Sequence, residues 1–115
     1  MLRRAGQDDA ALEYYRNAIR IWQDFGHRAA VAHQLECFAI LAANRSLLER
    51  ASQLLGAAET LRQVSNSLRV PEEQTEFEVL KSRLIGEMSE QEFMVNWQAG
   101  ERLSMEAAID LAVGG

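Results

Sequence analysis

The stretch Ala51-Ser52-Gln53-Leu54-Leu55-Gly56-Ala57-Ala58-Glu59-Thr60-Leu61-Arg62-Gln63-Val64-Ser65-Asn66-Ser67-Leu68 decides the fold, because it supports two opposed readings. In one, Gly56 opens the turn of a helix-turn-helix, and Glu59–Leu68 enters a major groove with Arg62, Gln63, Asn66 and Arg69 on the DNA. In the other, the segment is one helix and Gly56 allows a neighbour to approach closely. The second reading is preferred. Leu48, Ala51, Leu55, Ala58 and Leu61 keep a 3.6-residue period through Gly56, and Ala57 and Ala58 are strong helix formers that give no reason to turn. The same face is extended to Val64.

The pattern continues on both sides. Upstream, Asp8 and Asp9 open a helix with Ala11, Leu12, Tyr15, Ala18, Ile19, Trp22 and Phe25 on its apolar face, and Gly26 suits its left-handed cap. A second helix is predicted from His27 to Ala43, with Val31, Leu35, Phe38, Ala39 and Ala42 facing the core. Ser46-Leu47-Leu48-Glu49 fits a capping box for the third helix. Downstream, Ser65-Asn66-Ser67 begins a break that lasts to Pro71, which suits a first helical position with Glu72 and Glu73 at the positive end. The fourth helix buries Phe77, Leu80 and Leu84 and is expected to stop at Gly86. Ser89-Glu90-Gln91-Glu92 is a second capping box for a short helix with Phe93 and Trp97, stopped by Gly100. Ser104 caps a last helix with Ala108, Leu111 and Ala112. The fold class is therefore all-α, with about six antiparallel helices in a single domain, 1–115: repeats over 1–64, a loop at 65–70 and a helical extension over 71–115.

Composition limits function. A single proline and sparse β-branched residues suit helix throughout. The net charge of -5 argues against nucleic-acid binding, which needs a basic footprint. Cys37 is the only cysteine, so an intrachain disulfide is impossible and a reducing, cytoplasmic location is expected. No apolar run is long enough to span a membrane.

Chemical motifs are few. No Gly-x-x-x-x-Gly-Lys loop, His-Glu-x-x-His or Gly-x-Ser-x-Gly occurs, so no enzyme and no cofactor is expected. His33 and Cys37 share a helix face at a spacing of four, but zinc needs three or four ligands, so no metal is expected. Glu72, Glu73, Glu76 and Glu78 read as a solvated helix start, and Trp22 and Trp97 as packing.

A forty-residue repeat relates Ala11, Tyr15 and Ala18 to Ala51, Leu55 and Ala58. With Gly6 and Ile19, the first set resembles the second half of a tetratricopeptide repeat; Leu35, Phe38, Ala39, Ala42, Ala51, Leu55 and Ala58 resemble one full repeat. The spacing exceeds the usual ~34 residues, and Ser46 stands where a turn glycine is typical. More narrowly, Leu35–Ala39, Glu49–Arg62 and the tail Phe93, Trp97, Gly100, Leu103, Ser104, Glu106, Ala108 look like the C-terminal helical region of large bacterial regulators. Those regulators join a nucleotide-binding signalling ATPase to tetratricopeptide-like repeats, often with a LuxR-type DNA-binding or a cyclase domain. The resemblance implies a regulatory protein–protein interaction module, the C-terminal piece of a longer chain or a truncated descendant. It places a partner groove on the second helix at His33, Glu36, Ile40 and Ala43, the alternative being that these residues are solvated or covered by the fourth helix. The half-repeat at the start implies an apolar flank that can drive homodimerisation.

Overall fold

The computed structural model of the chain describes the backbone of residues 5–114 and the side chains of residues 9–114. Six helices and no strand occur among the described residues: α1 (Ala5–Phe25), α2 (Arg28–Asn44), α3 (Leu48–Ser65), α4 (Pro71–Glu87), α5 (Glu90–Glu101) and α6 (Met105–Val113). None of them is long and apolar enough to cross a membrane.

The α3 helix runs unbroken through Gly56, so the turn required by the helix-turn-helix reading is absent. Gly56 instead marks a close crossing. A Cβ there would overlap the Trp97 carbonyl of α5, and a Cβ at Gly100 would overlap the Gln53 backbone of α3. The fifth helix ends one residue past Gly100, at Glu101, and Gly100 in its last turn is buried against α3. Gln53 Nε2 donates to Asn96 Oδ1 at 2.9 Å beside the crossing.

The short loops follow one device. The N–H of His27 reaches Trp22 O, that of Leu47 reaches Ala42 O, and that of Ser67 reaches Arg62 O, at 2.8–3.0 Å. Each closes a helix end around a left-handed residue: Gly26, Ser46 and Asn66. Ser46 thus ends α2 and does not cap α3, whose N-cap is Leu47 with no side-chain bond. His27 precedes α2 and caps it, its Nδ1 accepting from Ala30 N–H at 3.2 Å. The Ser89 and Ser104 caps form as expected, accepting from Glu92 N–H and Ala107 N–H, both at 3.1 Å. Among the described residues α1 already includes Ala5, before the predicted Asp8, and α4 passes Gly86 to end at Glu87.

One core joins all six helices. α2 and α3 form its centre: α1 packs on α2, α5 on α3, α6 against both, and α4 across α2, α3 and α5. This explains why α2 and α3 bury residues around most of their circumference, including Leu41, Leu54 and Ala57 outside the predicted faces. Phe25 and Val64 are corrections in the other direction. Both sit in a last helical turn with too little of a neighbour to cover them, and are exposed. The Cα radius of gyration is 13.0 Å and the extents are 36 × 33 × 28 Å. Near-equal axes describe a compact all-α unit, as a helical bundle or a short solenoid fragment has.

Candidate functional site

The four predicted groove residues do share one face of α2, but that face is not open. α4 lies over it. Ala43 is buried, and its carbonyl accepts from Arg83 Nη2 of α4 at 3.0 Å. Arg83 Nη1 also donates to Asn44 Oδ1 at 3.1 Å, so a guanidinium sits at the negative end of the α2 dipole. Ile40 is half-buried, and Glu36 is buried. His33 is the most accessible of the four, its side chain 43% exposed. Of the readings open to these residues, a partner groove or a face solvated or covered by the fourth helix, the cover by α4 is the one found at Glu36 and Ala43.

Beneath α4 lies a charged network. Glu36 Oε2 accepts from Arg62 Nε of α3 and from Arg69 Nε of the 66–70 loop, both at 2.8 Å; Glu36 Oε1 accepts from Arg62 Nη2 at 3.1 Å. Arg69 Nη1 reaches Glu59 Oε1 at 2.8 Å, and its guanidinium lies 3.7 Å from the Phe77 ring centroid. Arg62 Nη2 is 3.5 Å from Glu73 Oε1 of α4. The two guanidinium side chains are only 6% exposed. Burial of this kind is tolerated only where opposite charge and hydrogen bonds replace water. Three carboxylates and two arginines do so here, tying α2, α3, the loop and α4 together. Arg62 and Arg69 are thus held inside the fold rather than offered to phosphates.

A second chain of contacts leads off the network. Glu73 Oε2 stands 3.3 Å from His33 Nδ1, and His33 Nε2 stands 3.8 Å from Cys37 Sγ. A cavity of about 40 Å³ adjoins these groups, walled by Ile40, Leu55, Phe77 and Leu80. No group of three or more His, Cys, Asp or Glu among the described residues is placed to hold a metal ion. A wider recess of about 630 Å³ opens on the far side of Arg69, over Trp97 and Lys81.

The outward face of α1 brings three large exposed apolar side chains onto one stripe. Tyr14, Ile21 and Phe25 are 67%, 53% and 77% exposed, and Ala18 lies between them on the same stripe. No family model, curated protein or solved structure matches this chain.

Proposed function

We propose that the chain is a protein–protein interaction and regulatory module, a helical-repeat part of a larger bacterial signalling or transcriptional regulator. Its contact surface is the outward face of α1. The observation that carries this reading is the stripe Tyr14, Ala18, Ile21 and Phe25, three of whose members are large and more than half exposed. Large apolar side chains clustered on one exposed face mark a contact surface, whereas isolated ones need no explanation. The α2 face is the weaker choice, since α4 already covers Glu36 and Ala43.

The occupant that fits best is a second copy of the chain. The spacing of the stripe, four, three, four, reads the same in both directions. Two antiparallel copies of α1 therefore set Tyr14 against Phe25 and Ala18 against Ile21, small opposite large. A two-fold interface demands this self-complementarity. Exposed Glu13, Arg20 and Asp24 flank the stripe with both signs of charge, so no block of like charge opposes the approach.

Light scattering over a concentration series tests the proposal. A mass of two chains is expected at high concentration, returning to one in the double variant Ile21→Glu, Phe25→Glu with its helix content intact. A wild-type chain that stays monomeric throughout overturns the self-contact.

A further inference from the structure

We propose that Cys37 is a modification site for low-molecular-weight disulfides, with His33 as its base, and that an adduct there lifts α4 off α2.

The geometry sets the protonation pattern. His33 Nδ1 stands 3.3 Å from Glu73 Oε2, at ion-pair distance but outside hydrogen-bond alignment, and the nearby carboxylate favours the tautomer with the ring proton on Nδ1. That leaves the Nε2 lone pair facing Cys37 Sγ at 3.8 Å, where it accepts the thiol S–H. A nucleophile, a base and a third group orienting the base are the arrangement that activates side-chain nucleophiles. Moving the thiol proton to Nε2 creates an imidazolium with a thiolate on one side and the Glu73 carboxylate on the other. Two further carboxylates border the cavity. Glu36 is already matched by Arg62 and Arg69, and Glu76 is exposed to water, so neither sets an uncompensated charge against the thiolate. His33 and Glu73 act on Cys37 from two helices, α2 and α4, so the arrangement is not a by-product of helical spacing alone.

The reaction is thiol–disulfide exchange. The Cys37 thiolate attacks one sulfur of an external disulfide, the external S–S bond breaks and a Cys37 Sγ–S bond forms. The departing thiolate takes the proton from His33 Nε2, so the disulfide supplies the oxidising equivalents and leaves as one free thiol. The size of the cavity sets how the fold responds to the adduct. About 40 Å³ admits a few water molecules but not an aromatic or peptidyl thiol. Its outer wall is Phe77 and Leu80 of α4, and these must move to accommodate a larger adduct. Of the α4 side chains only Phe77, Leu80 and Leu84 are buried, so this helix yields before α2 or α3 does. The uncovered surface is the face of α2 that carries His33, Glu36 and Ile40.

The test uses the full native chain and dithiodipyridine, read by thiopyridone release. Because Cys37 is the sole cysteine, one equivalent is expected from wild type and none from Cys37→Ser. The rate should fall roughly tenfold or more in His33→Asn. Glu73→Gln should slow it too, and Glu73→Asp should retain more of the rate than Glu73→Gln, as befits a positioning residue. Circular dichroism fixes the folded fraction of each variant. Equal rates in folded wild type and folded His33→Asn, or reaction only in denaturant, overturn the site. The lift of α4 is read by limited proteolysis of the 66–70 loop. Pyridylthio-modified chain should be cut faster than unmodified chain, whereas the methylthio adduct from methyl methanethiosulfonate should not. Unchanged cleavage after pyridylthio modification overturns the lift.

Discussion

A methyl group at Gly56 would meet the backbone of Trp97, and one at Gly100 the backbone of Gln53. Backbone cannot give way as a flexible side chain can, so α3 and α5 would have to separate. Gly56→Ala is expected to destabilise the fold by about 3 kcal/mol. Gly86, inside α4 with nothing near its missing Cβ, is the control: Gly86→Ala should stabilise by about 0.5–1 kcal/mol. Urea denaturation of both variants checks the sign difference. The role of Gly56 was readable from its neighbours in the chain, since the apolar face passed through it. That of Gly100 was not. A glycine near a helix end looks like a stop signal, and only the partner helix shows that it is a contact point. Ser46 carries the same lesson. As a residue before a Glu three positions on it imitates a capping box, yet the chain needs a left-handed residue there to close α2, and that need prevails.

At the scale of elements, α4 is held by the burial of Phe77, Leu80 and Leu84 together with a few charged side chains. Its N-terminal turn is tied to the interior through Glu73, and its C-terminal half to the end of α2 through Arg83. Arg62 is the hub, reaching both Glu36 and Glu73 from a buried position. Arg62→Ala leaves Glu36 buried with one guanidinium instead of two and is expected to cost about 3 kcal/mol or more. Arg45→Ala, which removes a pair with the well-exposed Asp9, should change stability by less than about 1 kcal/mol. Thermal or chemical unfolding of the two variants measures the contrast. The sequence marked Arg62 and Arg69 only as DNA contacts in the helix-turn-helix reading. Charged residues in a helix look alike in sequence whether solvated or buried, and the partners here lie twenty-six and thirty-three residues away.

Across the whole molecule, the core is densest between α2 and α3 and thins toward α4. Native-state hydrogen exchange is expected to show the slowest amides in α2 and α3, exchanging by global unfolding. α4 should exchange earlier, through a partial opening that leaves the α3–α5 crossing intact. Equal protection in α3 and α4 would contradict that order.

The sequence by itself determined the helices, the Ser89 and Ser104 caps and the core face of α4, because periodicity and capping act within a few residues along the chain. Gly56 as a packing glycine and Phe77, Leu80 and Leu84 as the buried edge of α4 were legible for that reason. Which helix covers which face was decided only by tertiary structure. α4 on the α2 groove, the buried Glu36–Arg62–Arg69 network and the line from Glu73 through His33 to Cys37 all join groups far apart in sequence. Local preference does not encode such pairings. They exist because burying the apolar faces of all six helices at once brings those charges together, where each must find a partner to leave water.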